Sequence, residues 1–150
     1  MKKINFWEFK EELKFLKSKK IFNKLKKTLE SGEIFFGKTL KKFEKNFLNF
    51  NKTRYGLSVK SGTDALILSL MCAGIKKGDE VITVSLTAIP TISSIVTVGA
   101  VPVFVDVNNK CLIDVDQIEK KITNKTKAII SVHLYGQPCE LNKILLIAKK

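Results

Sequence analysis

From residue 55 onward the chain alternates short apolar runs with stretches of helical periodicity, and this alternation constrains the fold more than any other feature. The runs are Tyr55 to Val59, Val81 to Val84, Val101 to Val105 and Ala128 to Val132. Between them lie helical patterns to Ala73, from Pro90 to Val98, around Asp116 to Ile122, and again from Leu141. Strands separated by helices of about ten residues predict right-handed crossovers and a mainly parallel sheet with helices on its faces. In such α/β sheets, ligands bind at the carboxyl ends of the strands.

One turn stands out at such an end. Ser61-Gly62-Thr63 joins the first run to an apolar helix carrying Leu66, Leu68, Leu70 and Met71. A strand that turns through Ser-Gly-Thr straight into a helix presents free backbone N–H groups, and the helix dipole favours an anion there. Gly62 lets the main chain approach a ligand without a Cβ. The turn alone fits a phosphate cup or a simple N-cap. Lys60 beside it reads as an ordinary charge near the cup. Farther on, Thr87 is placed to cap the helix that Pro90 enters in its first turn. His133, the single histidine, ends the fourth run and reads as a hydrogen-bonded structural residue, with no serine or cysteine nucleophile arrangement around it. Asp106 and Asp114 read as strand-end and turn residues.

The first third has a different texture. Residues 1–54 carry 16 basic and 6 acidic side chains, out of a net charge of +13 for the chain. The pattern from Asn5 to about Leu29 is helical, with Phe6, Phe9, Leu13, Leu16, Ile21, Phe22, Leu25 and Leu29 near three-to-four spacing and lysines on the other faces. Ser31-Gly32 ends it, and a second helix from Thr39 to Phe50 follows Gly37. A helix of this kind packs on its own domain or on a partner subunit, or lies on an anionic bilayer with Phe6 and Trp7 as anchors. Arg54 is the single arginine among 27 basic residues, which argues against nucleic acid as a partner, because phosphate and guanine edges are read by arginine forks. Three widely spaced cysteines, Cys72, Cys111 and Cys139, and one histidine supply neither a disulfide framework nor a metal site. No run is long and apolar enough to span a bilayer and no secretory signal is visible, so the expectation is a cytoplasmic protein.

Five further segments follow in order: Gly78-Asp79-Glu80-Val81-Ile82, Leu86-Thr87-Ala88-Ile89-Pro90-Thr91, Gly99-Ala100-Val101-Pro102-Val103-Phe104-Val105-Asp106, Ile122 to Ile130, and Val132-His133-Leu134-Tyr135-Gly136-Gln137-Pro138. With the Ser-Gly-Thr turn, they resemble the DegT/StrS family of sugar-nucleotide aminotransferases from about Ser31 onward. The resemblance implies the N-terminal portion of a fold type I pyridoxal-phosphate-dependent large domain. The domain reading is then a basic helical segment, 1–54, and the first half of the cofactor-binding domain, 55–150. It implies pyridoxal 5'-phosphate as cofactor, held at Ser61, Gly62 and Thr63. It also places Ala88 where many members carry an aromatic ring that stacks on the cofactor. Members are commonly more than twice this length, and the resemblance puts the Schiff-base lysine beyond Lys150, so no catalytic residue is expected within the chain. Lys60 is not that lysine. The implied activity is amino transfer, usually from glutamate, to a keto group of a nucleotide-linked deoxysugar, in a homodimer; this chain would be inactive alone. A dehydratase of the same family and a non-catalytic basic fragment remain as alternatives.

Overall fold

The structure is a computed structural model that describes residues 8–18 and 20–150. It divides into two compact units, 1–58 and 59–150.

The second unit is built on three parallel strands, β1 (Glu80–Val84), β2 (Val101–Val105) and β3 (Thr126–Ile129), in the order β2-β1-β3. Its helices are α4 (Gly62–Cys72), α5 (Ile89–Thr97), α6 (Val115–Lys121) and α7 (Leu141–Ala148), and a 3-10 turn spans Leu134–Gly136. The central strand explains the layering. Alternate side chains of a strand point to opposite faces, and β1 is apolar or hydroxyl-bearing on both, with Val81 to Val84 all buried. Ile82 and Val84 pack with Val105, Val115, Ile118 and Ile144, which puts α6 and α7 on one face. Val81 packs with Leu70, Ile75, Ile95 and Ala100, which puts α4 and α5 on the other. Thr83 shares that second face and is fully buried; its hydroxyl donates to the Ile130 carbonyl at 2.9 Å, so no polar atom is left without a partner.

The chain leaves β1 through α5 to reach β2, then returns through α6, on the opposite face, to β3 on the far side of β1. The direction of winding therefore reverses at β1, which makes the gap between the carboxyl ends of β1 and β3 the switch point of the sheet. Beside α5 lies α4. Its C-terminal end is tied near the amino edge of the sheet, where the Gly78 N–H donates to the Gly99 carbonyl at 3.0 Å and Gly99, at φ +81°, leaves little space beside Lys77. An eleven-residue helix is about 16 Å long and a five-residue strand about as long. The N-termini of α4 and α5 thus both reach the carboxyl edge.

The first unit contains α1 (Lys10–Ser18), α2 (Ile21–Glu30) and α3 (Lys38–Asn51). The continuous helix expected from Asn5 to Leu29 is broken: Lys20 has φ 54° and ψ 31° and caps α2 without a side-chain bond. The stretch Lys17 to Lys20 holds no apolar residue, so the stripe that would carry one helix through this point is interrupted. Asn5, Phe6 and Trp7 lie outside the described residues. Gly32 ends α2 at φ +69°, as its position after Ser31 predicts. Gly37 starts α3 with no side chain to cap it, and Glu33 takes over that role, its Oε2 accepting the Lys38 N–H at 3.0 Å. That bond holds the Glu33 carboxyl below its ordinary range.

The run from Tyr55 to Val59 forms no strand. A strand needs a ladder partner for its N–H and C=O groups, and none is present among the described residues. The Ser58 N–H donates instead to Glu44 Oε1 at 2.9 Å, and the Arg54 guanidinium lies 5.2 Å from the centre of the Tyr55 ring.

Because Ile82 is fully buried on the paired strand, Ile82→Ala should cost about 2–5 kcal/mol. Leu57→Ser, at a position 79 % exposed, should stay within about 0.5 kcal/mol. Urea denaturation followed by circular dichroism measures both, and equal shifts for the two would contradict the placement of the core.

Candidate cofactor-binding site

Ser61 is the N-cap of α4, in extended conformation at φ −156° and ψ 161°. Its Oγ accepts the Asp64 N–H at 3.1 Å and donates to Asp64 Oδ2 at 2.8 Å. Ser61 is thus a side-chain N-cap of α4, and its hydroxyl proton is held by the Asp64 carboxylate. Its sequence signal, a serine followed three residues later by an acid, is plain in Ser61-x-x-Asp64, but the role of Asp64 was not foreseen. The Ala65 N–H is taken by the Ser61 carbonyl at 3.1 Å. The N–H groups of Gly62 and Thr63 therefore lack an acceptor among the described residues, and they lie in the first turn of an eleven-residue helix, where the dipole is most favourable to an anion.

Gly62 has nothing within 4 Å of where a Cβ would stand, and its φ is not in the left-handed region. Neither the packing of this unit nor its own backbone demands glycine there. The missing side chain leaves open space beside these two donors. The donor set suits a phosphate: neutral N–H groups on a helix start, with the Thr63 hydroxyl beside them. Asp64 brings a negative charge to the same turn, which is offset by the Ser61 hydroxyl and by Lys60, whose Nζ lies 3.8 Å from Asp64 Oδ1. The lysine head is exposed and faces that carboxylate.

Ala88 lies at the other helix start on this edge. It is the N-cap of α5, at φ −72° and ψ 147°, and makes no side-chain cap. The cap expected from Thr87 is absent, because Thr87 Oγ1 pairs with Thr91 Oγ1 at 2.7 Å, joining the loop to the first turn through a hydroxyl pair. Pro90 sits in that turn as predicted. Ser61, Gly62 and Thr63 are thus one continuous structure, and Ala88 shares their edge and face of the sheet without a hydrogen bond to them. His133 Nδ1 accepts the Cys139 N–H at 3.1 Å, and Cys139 Sγ donates to the Val132 carbonyl at 3.1 Å, which ties down the loop after β3. Asp106 and Asp114 behave as strand-end and turn residues: Asp106 Oδ1 accepts the Val107 N–H, and Asp114 caps α6 through the Asp116 N–H. Cys72, Cys111 and Cys139 are free thiols, and no cluster of potential metal ligands occurs among the described residues.

Residues 16–150 match the DegT/DnrJ/EryC1/StrS aminotransferase family. The chain belongs to that family. It is 47% identical over 114 residues to the GDP-perosamine synthase of Escherichia coli O157:H7, a match covering 75% of this chain and 31% of that protein. It is 44% identical over 133 residues to the dTDP-3-amino-3,6-dideoxy-alpha-D-galactopyranose transaminase of Aneurinibacillus thermoaerophilus, covering 88% and 37%. The crystal structure of NtdA from Bacillus subtilis with bound cofactor PMP superposes with a TM-score of 0.90 at 34% identity, covering 99% of this chain and 34% of that one. The chain therefore spans about a third of the length of these relatives. Its α/β fold is that of the aminotransferases of this family.

Two substitutions separate a cap from a cradle. Ser61→Ala removes the side-chain N-cap of α4 and should destabilise the unit by about 0.5–2 kcal/mol. Gly62→Ala enters open space and should stabilise it by about 0.4–1 kcal/mol. Denaturation midpoints read both, and a destabilising Gly62→Ala would show that the glycine serves the fold itself.

Proposed function

We propose that this chain supplies the phosphate-holding part of a pyridoxal-phosphate-dependent aminotransferase that acts on a nucleotide-linked keto-deoxysugar, with glutamate as amino donor. The observation that carries the proposal is the pair of acceptor-free N–H groups of Gly62 and Thr63 beneath the space left by the missing Cβ. Support comes from the relatives, which are named for nucleotide amino-sugar formation, and from the PMP-bound neighbour, since PMP is the amino form of this cofactor.

When bound, pyridoxal phosphate supplies an electron sink for the carbon that loses its proton. The residues of this chain bind and orient. Gly62 and Thr63 donate their N–H groups to the phosphate, with the Thr63 hydroxyl as a further donor. Ser61 fixes the direction of those donors by holding Asp64 and the first turn of α4 in place. Ala88, at the start of α5, presents a methyl where an aromatic ring would stack, so the cofactor is held here chiefly by its phosphate. Lys60 adds positive charge near the cup, and none of the described lysines is assigned proton transfer. In this reading residues 1–54 are a basic helical segment and residues 55–150 the first half of the cofactor-binding domain, and the whole protein works in the cytoplasm as a homodimer.

In the whole protein, Gly62→Val with Thr63→Ala should weaken retention of pyridoxal phosphate tenfold or more, since a branched side chain fills the cradle and one hydroxyl donor is lost. One neutral donor is worth about 0.5–1.5 kcal/mol and donors to a charged group more. Cofactor absorbance after gel filtration measures the effect. Undiminished retention would contradict the assignment, and loss of glutamate-dependent amino transfer with retention intact would contradict the placement of the phosphate.

A further inference from the structure

Two opposite charges stand beside the free donors of α4, and they are held unequally. The Asp64 carboxylate is fixed in the first turn: Ser61 Oγ donates to its Oδ2 at 2.8 Å and accepts the Asp64 N–H at 3.1 Å. Lys60 is loose. Its Nζ lies 3.8 Å from Asp64 Oδ1, beyond hydrogen-bonding distance, and makes no hydrogen bond among the described residues; its side chain is 85% exposed against 27% for Asp64. An exposed ion pair of this kind contributes little, because water screens it and the long side chain loses freedom in forming it. A direct hydrogen bond from an ammonium group to a phosphate is stronger, since both partners are charged.

We propose that Lys60 is an exchangeable counter-ion, a role that rests on the phosphate-holding reading of this turn. Lys60 faces Asp64, as the structure has it, until a phosphate takes the Gly62 and Thr63 N–H groups, and its ammonium group then turns to the phosphate. Asp64 and the ligand thus compete for one lysine. A phosphate at this helix start meets the fixed negative charge of Asp64, and like charges repel. The helix dipole and two neutral N–H groups bring no full positive charge to offset that repulsion. Lys60 brings one, from the residue directly before the cap. Asp64 is then a positioning residue with two opposed effects: it keeps the lysine near the turn, and it repels the anion. The ion pair is weak while the repulsion acts on every bound phosphate, so the second effect wins and Asp64 lowers the affinity. All these groups lie within five consecutive residues of this chain, 60–64, so the exchange needs no other subunit or segment.

The test is a double-mutant cycle on the 150-residue chain, with affinity read from the Gly62 and Thr63 amide signals as pyridoxamine 5'-phosphate is added. That probe carries the phosphate ester and no aldehyde to react with lysines, and pyridoxamine is the control without phosphate. The wild type is compared with Lys60→Met, Asp64→Asn and the double variant. Asparagine keeps an acceptor for the Ser61 hydroxyl, and circular dichroism checks that α-helix is kept. At low salt Asp64→Asn should tighten binding and Lys60→Met should weaken it, each by about threefold or more. The loss caused by Lys60→Met should be larger in the Asp64→Asn background, where no carboxylate competes for the ammonium group. Equal losses in both backgrounds would overturn the proposal, because the two charges would then act independently. So would weaker binding by Asp64→Asn. Amides of Gly62 and Thr63 that ignore the phosphate ester in all four proteins would instead sink the phosphate-holding reading itself, and the exchange with it.

Discussion

Every position in the second unit depends on β1 being covered on both faces. Ile82 and Val84 point into one layer and Val81 and Thr83 into the other, and each fully buried branched apolar side chain stabilises the fold by about 1.5–3 kcal/mol. A strand buried in this way requires helices on both sides and parallel neighbours on both edges, and crossovers of one hand then force the chain to reverse direction at β1. The reversal puts the switch point between the carboxyl ends of β1 and β3. The same packing brings the starts of α4 and α5 to the carboxyl edge, so the free donors of Gly62 and Thr63 follow from the core rather than from the turn alone.

What the sequence showed and what it hid divide along physical lines. The strands β1 and β2 were legible because an apolar run flanked by Gly78-Asp79 or Gly99-Ala100 has few other readings. The start of α4 is legible because serine and glycine before an apolar helix have local, intrinsic effects. The run from Tyr55 to Val59 has the alternation of a strand, yet alternation does not supply a ladder partner, and pairing is a non-local property. The break at Lys20 falls in a stretch without apolar residues, between two stretches whose apolar spacing is helical. The position of Thr87 suits a cap, whereas its hydroxyl finds Thr91 one helical turn on. The spacing of Asp64 from Ser61 is a local signal of the helix start.

The two units differ in charge and in core. The second buries a core on both faces of β1 yet leaves Met71, Ile89, Val96, Leu145 and Leu146 exposed, and its charge is close to balanced. The first exposes aromatic and aliphatic side chains among lysines, with Phe43 and Phe47 touching ring to ring at 5.8 Å and little else to shield them. In the proposed function a small anionic cofactor would meet the acceptor-free N–H groups at the start of α4.

The central claim is that the first turn of α4 holds a phosphate. Amide chemical shifts of the isotopically labelled chain, recorded while pyridoxal 5'-phosphate is added and compared with pyridoxal, test it most directly. The Gly62 and Thr63 amides should move downfield with the phosphate ester and stay in place with pyridoxal, since the donors meet the phosphate and not the ring. Shifts confined to the lysines of α2, or equal shifts at the cradle with both compounds, would contradict the account.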